Sequence, residues 1–197
     1  MPHESAYGAA KGCVNGRSRD FMGRRLMLSG NALRHQIILP QQQKFYDYWR
    51  RKCRAGVFPS RNDILPEEIT AQLPMTTIMV RETDAATGGR RYRHRLAGTG
   101  YWNLYQREIQ GRFVDELPIG CRVDYWHRVL DKVIDTRKPY VGVTRPNTPN
   151  GSHLAQFWVR LPLSENGTDI DAILGFDHLA KMKDIAEFTP TKQREVA

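Results

Sequence analysis

Two Asn-Gly steps, Asn150-Gly151 and Asn166-Gly167, bracket the apolar run HLAQFWVRLPL (153–163), and a second run, DIDAILGFDHL (169–179), follows. Asn-Gly readily adopts the positive φ angles of a tight hairpin turn, so it is the strongest short-range signal for antiparallel strands. With PYVGVTR (139–145) ahead of them, these segments read as a three-stranded meander. Alternation places Ala155, Phe157, Val159 and Leu161 on one face of the middle strand. It places Ile170, Ala172, Leu174, Phe176 and His178 on one face of the last.

Upstream lies a second strand pair. MTTIMVRE (75–82) is rich in β-branched residues, and RYRHRLAG (91–98) alternates, with Thr87-Gly88-Gly89 as turn chemistry between them. The alternation sets Tyr92, His94 and Leu96 against Arg91, Arg93 and Arg95. Helical spacing appears in three places. Phe45, Tyr48, Trp49 and Cys53 recur along 41–55, a short helix is expected over 100–107, and the longest covers 120–136. At about 100° per residue, Val123, Trp126, His127, Leu130, Val133 and Ile134 share one side of that last helix. Pro66-Glu67-Glu68 suits a first helical turn, so a further short helix is expected at 66–72, stopped by Pro74. Helix, hairpin, helices, meander is an α+β order with one five-stranded antiparallel sheet and helices over one face.

Residues 1–36 carry six basic and two acidic residues with no sustained apolar period, and read as a basic, disordered tail. The flanking helix and connector occupy 37–74, the core 75–180, and a loose tail 181–197. The net charge of +9 permits an anionic partner without requiring one. Mean hydropathy is −0.58 and no 18-residue apolar run occurs, so no membrane span is expected. Cys13, Cys53 and Cys121 are odd in number and widely spaced, which fits a reducing, cytoplasmic location.

Chemistry-bearing motifs are few. His3, His35, His94, His127, His153 and His178 make no HxH, HxxxH or HExxH, and no Cys/His pair has zinc spacing, so no metal site is expected. There is no GxxxxGK[ST] and no GxSxG; Gly98-Thr99-Gly100 is a lone GxG, normally a tight turn. Cys121 opens the long helix without a partnering base nearby in sequence. His127 is the one polar group on the apolar helix stripe, and it reads either as a hydrogen-bonded core or rim histidine or, more sharply, as a polar contact to a ligand held between helix and sheet. The candidate pocket is His127, Trp126, Leu130, Trp102, Tyr105, Phe157, Phe176 and His94. Phe45, Tyr48 and Trp49 form the candidate partner-facing surface. The basic face of Arg91, Arg93 and Arg95 is solvated or pairs with nearby acids; it lacks the aromatics of an RNA-binding sheet.

Several of these stretches together resemble a family of small bacterial PAS-domain proteins, found chiefly in alphaproteobacteria. The matching features are Tyr48-Trp49 on the first helix, Pro59/Arg61/Asp63/Pro66 as P-x-R-x-D-x-x-P, and R-L-x-G-T at 95–99. G-R-x-x-x-E-L at 111–117 and L-P-L-x-x-x-G at 161–167 complete the set. The resemblance covers about 41–178. Gln106 departs from it, since the family often has glycine there, and bears on how the short helix ends and on the pocket mouth. The resemblance implies the PAS fold and a non-enzymatic sensor or adaptor in signal transduction. It implies a small ligand between sheet and helices, a protein partner or a homodimer, and names no cofactor. With nothing after Leu179 long enough for an output domain, signalling would run through a bound partner. Two other readings remain open at this point. One is a small enzyme on a ketosteroid-isomerase-like α+β fold, using His127 with Asp115 or Asp124. The other is a nucleic-acid-associated protein acting through the N-terminal arm, against the plainer reading that basic tails are usually just solvated.

Overall fold

A computed structural model of the chain describes residues 36–37, 39–148 and 150–184. The basic tail at 1–35 and the end of the C-terminal tail lie outside the described residues. Helix α1 spans Pro40–Lys52, strands β1 and β2 span Thr76–Thr83 and Arg90–Ala97, and α2 spans Tyr101–Tyr105. Helix α3 spans Arg122–Thr136, and β3, β4 and β5 span Tyr140–Thr144, Leu154–Leu163 and Ala172–Lys181. All pairs are antiparallel, and the strand order is β2-β1-β5-β4-β3. The first and last strands are thus neighbours at the centre of the sheet. The expected α+β, PAS-like architecture is present, with α1 as its flanking helix.

Local chemistry accounts for the boundaries. Pro40 starts α1, where its missing N–H costs nothing, and Arg50, Arg51 and Lys52 sit at the negative end of the helix dipole. The expected helix at 66–72 is replaced by two 3-10 turns, Pro66–Glu68 and Leu73–Met75, because each proline removes a donor and restricts the residue before it. In β2 the plain alternation breaks. Ile78 pairs with Leu96 while Met79 pairs with His94, so Arg95 is an extra residue in a β-bulge. Leu96 therefore packs on the opposite face from Tyr92 and His94, against the sequence expectation.

The sheet is covered on both sides. On its inner face, Met79, Tyr92, Trp158 and Ile173 meet Trp126, Leu130, Val133 and Ile134 of α3. On its outer face, Ile78, Val159, Leu161, Leu163, Leu174 and Phe176 meet Phe45, Tyr46, Tyr48 and Trp49 of α1. Phe45 and Phe176 rings are 5.2 Å apart, and Trp49 Nε1 donates to Pro162 O at 2.9 Å. The Tyr48 hydroxyl accepts from Leu65 N at 2.7 Å, tying the connector to the helix.

The proposed partner surface needs correction on this point: Phe45, Tyr48 and Trp49 are each at most 2% exposed. Their apolar area is already consumed by the sheet, which is what amphipathicity at this spacing achieves. Phe45→Ala should cost roughly 3–5 kcal/mol in urea unfolding, the usual loss for a buried aromatic, while Lys44→Ala on the exposed side of α1 should cost near zero. Equal, small losses for both would mean that α1 is not docked on the sheet.

Candidate functional site

The two faces of β4 and β5 carry opposite chemistry. The apolar alternation read from sequence looks outward to α1, and the intervening residues look inward: Gln156, Trp158 and Arg160 from β4, Gly175 and Asp177 from β5. Arg160 and Asp177 form a bidentate ion pair, Nη1 to Oδ1 at 2.8 Å and Nη2 to Oδ2 at 3.1 Å, with side chains 5% and 1% exposed. The Tyr101 hydroxyl of α2 donates to Asp177 Oδ2 at 2.5 Å, with Met75 O 3.1 Å away. Above the pair, the guanidinium lies 4.8 Å from the Trp126 ring centre and 5.9 Å from that of Trp158. Such stacking favours the cation in a dry site. Trp158 Nε1 in turn donates to the Tyr125 hydroxyl at 3.1 Å.

Two glycines make room for this arrangement. A Cβ at Gly175 would stand 2.5 Å from Thr77 Oγ1 and 3.1 Å from Arg160 Nη1. A Cβ at Gly142 would stand 2.4 Å from Trp158 Cζ2. Bare backbone lets the guanidinium and the indole lie flat across neighbouring strands, close approaches that side chains would block.

Tyr101, Trp126, Gln156, Arg160 and Asp177 line a small cavity of about 20 Å³, together with Thr77, Met79, His94, Tyr105, Ile109 and Leu130. That is room for about one water molecule. Arg160 Nε and Thr77 Oγ1 are buried and have no hydrogen-bond partner among the described residues. His94 Nδ1 lies 3.1 Å from Arg112 O. A carbonyl only accepts, so Nδ1 carries the proton and the neutral ring leaves Nε2 as an acceptor. Burial pushes the His94 pKa down to about 4 and outweighs that hydrogen bond. Burial first, then the Asp177 charge, raises the Tyr101 phenol well above its usual value, and Tyr105 rises for the same reasons. The neighbouring Asp177 carboxylate lifts Arg160 further despite desolvation, so it stays a cation.

Of the residues proposed from sequence, Trp126, Leu130, Tyr105 and His94 come together around this cavity. Phe157 and Phe176 do not: both face outward, Phe176 onto Phe45 and Phe157 beside Leu39, Ala155 and Ala180. The apolar phase of each strand faces α1 and the cavity takes the opposite phase, the reverse of the sequence expectation. Trp102 is 54% exposed and borders a separate surface cleft. His127 stands edge-on to Tyr92 with ring centres 5.6 Å apart, outside the cavity lining, and its Nε2 is buried without a partner among the described residues. Arg160, Asp177, Thr77 and Tyr101 were missed. The available signal was a charge in the middle of each of two apolar strands, FWVRL and GFDHL, which is expensive unless paired.

The acids proposed for an enzymatic reading are elsewhere. Asp115 pairs with Arg91 at 2.8 Å and Asp124 is exposed on α3. The basic face of β2 pairs with neighbouring acids: Arg93 binds Glu82 at 2.7 Å, and Arg91 and Arg93 both stack on Phe113, 3.7 and 4.0 Å from its centre. Among the described residues no cluster of three His, Cys, Asp or Glu side chains could hold a metal ion. No helix among them is long and apolar enough to cross a membrane.

Asp177→Ala should lower stability by roughly 3–5 kcal/mol, because it leaves the Arg160 charge buried and unpaired. The double variant Arg160→Met/Asp177→Leu should recover most of that loss in urea unfolding. Both variants falling equally would show that the pair is not what the interior depends on. A second expectation concerns pH. The folded His94 pKa is depressed below its unfolded value near 6.5, so the unfolded state binds the extra proton first. Its contribution to stability is complete above pH 6.5 and is lost as pH falls towards about 4, on the order of 3 kcal/mol in all. His178, also lowered by burial, adds in the same direction. His94→Gln should flatten this slope in denaturation curves taken between pH 7 and 4.

With this geometry in hand, solved structures of low identity can be placed beside it. A sensory box sensor histidine kinase from Vibrio cholerae is 16% identical, with a TM-score of 0.43, 59% of this chain covered and 90% of that one. A Vibrio cholerae VqmA–ligand–DNA complex is 18% identical, with a TM-score of 0.45, 64% of this chain covered and 57% of that one. A PAS domain from Colwellia psychrerythraea is 15% identical, with a TM-score of 0.39, 58% of this chain covered and 96% of that one. No curated protein matches the chain significantly. The sequence profile of the PAS domain family matches residues 38–177, well over half of the chain, and the chain belongs to that family.

Proposed function

We propose that this PAS protein is a non-enzymatic cytoplasmic sensor or adaptor that takes a small molecule between α3 and the sheet, where the water-sized cavity has to widen to admit it, and passes its occupancy to a protein partner or a second copy of itself. The observation that carries this reading is a buried cavity whose wall holds two polar atoms, Arg160 Nε and Thr77 Oγ1, without partners among the described residues. Buried polar groups are ordinarily hydrogen-bonded, so these two call for a partner in the cavity, a water or a ligand atom. The titratable groups there are held far from neutral exchange: His94 stays uncharged, Tyr101 and Tyr105 stay protonated and Arg160 stays a cation. Such groups suit recognition better than proton transfer.

The route outward follows the strands. Asp177 faces the cavity while its neighbour Phe176 touches Phe45 of α1, so a displacement of β5 on one side is felt on the other. A ligand transmits only by binding two arrangements with different affinity. Because the aromatic face of α1 is buried, a partner would meet the exposed side of that helix or a rearranged α1.

Protein purified from its native host, denatured and extracted, should release a compound detectable by mass spectrometry. Restoring that compound at a hundredfold excess over its dissociation constant should add about 2.7 kcal/mol to stability, read as a higher Tm. Neither a released compound nor a ligand-dependent Tm across a metabolite screen would end the ligand half of the reading and leave an adaptor.

A further inference from the structure

The aromatic face of α1 is covered by the sheet, and among the described residues Trp102 of α2 is the one aromatic side chain left exposed. It borders a surface cleft of about 340 Å³, together with Gly98, Thr99, Arg107 and Glu108. The floor of the cleft is rigid. Tyr101 is tied to Asp177 by its hydroxyl, and Ile109 is fully packed. Gly98 lies so close to the Leu73–Pro74 turn that a Cβ would stand 2.1 Å from Leu73 O, and its N–H donates to Thr76 O at 2.8 Å. A preformed cleft loses little conformational freedom when it is filled.

Charge gives this edge of the molecule a sign. Arg90, Arg91 and Arg93 of β2 each have a carboxylate partner, in Asp135, Asp115 and Glu82. Arg95 does not. It is the extra residue of the bulge, with no residue of β1 opposite it, and its exposed side chain has no partner among the described residues. Arg112 lies beside it, since His94 N donates to Arg112 O at 2.9 Å. Arg112 Nε donates to Glu108 O at 3.2 Å, which leaves both terminal nitrogens of that guanidinium without a partner among the described residues. Arg107, on the cleft itself, is exposed and equally unpaired. The one acid bordering the cleft is Glu108, and its Oε1 already accepts from Gln110 N at 2.8 Å.

The occupant follows from that chemistry. Unpaired guanidinium groups bind carboxylates and phosphates through paired hydrogen bonds. Trp and Arg are also the side chains that most often carry the energy of a protein contact. A nucleic-acid strand matches less well. It needs cations along its length and stacks successive bases on several aromatics. Here Trp102 stands alone, and the rim turns acidic at Asp115 and Glu116 beside Arg91. A short acidic segment carrying an apolar side chain matches both the sign and the extent of the cleft.

We infer that the Trp102 cleft docks an acidic segment of a partner protein, with an apolar or aromatic side chain against the indole and carboxylates on Arg95, Arg107 and Arg112. This rests on the partner half of the reading given above and gives that partner a contact apart from α1.

The test uses the full chain and fluorescein-labelled decapeptides in anisotropy titrations: one rich in Glu with a central Phe, one with that Phe changed to Ala, and one with Lys in place of Glu. The acidic aromatic peptide should bind about tenfold more tightly than either of the others. Trp102→Ala and Arg107→Glu should each weaken it about tenfold with the wild-type Tm kept, because both side chains are exposed. Arg128→Glu makes the same charge change on α3, outside the cleft, and should leave binding as it was. In the native host, a photo-crosslinking residue in place of Trp102 should capture a protein segment of net negative charge, and the same residue in place of Lys44 reports on α1. Failure of the acidic peptide to bind, equal binding of the basic one, an equal loss for Arg128→Glu, or crosslinks from position 102 only to nucleic acid or a second copy overturns this docking surface. Crosslinks from position 44 with none from position 102 also overturn it and leave the partner reading standing. No crosslink from either position defeats the partner reading itself.

Discussion

The ion pair between Arg160 and Asp177 is the constraint around which the interior is arranged. Taking two opposite charges out of water is costly, and their attraction offsets the cost only where geometry is good and remaining polar atoms find partners. Most of the surrounding features meet that condition. The pairing is bidentate, Tyr101 supplies a further hydrogen bond to the carboxylate, Trp126 presents its ring face to the cation, and Gly175 leaves the cross-strand position bare. The pair also pins the sheet. A slip of one residue between β4 and β5 would turn Asp177 into the apolar layer beneath α1.

Two consequences follow for how the layers divide labour. The outer face is ordinary hydrophobic packing, and three of the five resemblance motifs serve it. Trp49 reaches Pro162 of L-P-L, Tyr48 holds Leu65, Arg61 pairs with Glu165 at 2.9 Å, and Phe58 and Gly167 share a backbone bond. These three motifs are therefore the clasp between helix, connector and hairpin, while Val114 and Leu117 of the 111–117 motif pack on the inner side. The inner face carries the buried polar residues His94, Arg160 and Asp177, which lie outside those motifs.

Much of the architecture was legible because its signals are local. Asn-Gly turns, β-branched runs and helical spacing placed all five strands and three main helices, and the apolar stripe of α3 buried Trp126, Leu130, Val133 and Ile134 as drawn. What was not legible depends on which of two faces becomes which. Phe157 and Phe176 looked like pocket residues because apolar faces usually meet the core, but α1 provides a second core, and its docking is a long-range fact. The pairing of Arg160 with Asp177, like the stacking of Arg91 and Arg93 on Phe113, joins residues whose neighbourhood is created only by strand register. The 3-10 turns around Pro66 and Pro74 were missed because charge and proline cues mark a helix start without saying whether it propagates.

The bulge at Arg95 sets the parity of a whole edge. By adding one residue opposite the Ile78–Met79 step, it lets a single strand serve two masters: Tyr92 and His94 on the side of α3, Leu96 on the side of α1. The chain length between Tyr92 and Gly98 is consequently not a free variable of the fold. Insertions and deletions there are read as inversions, exchanging an aromatic and an imidazole for an aliphatic residue, whereas the turn at 84–89 ahead of β2 can lengthen without disturbing either layer.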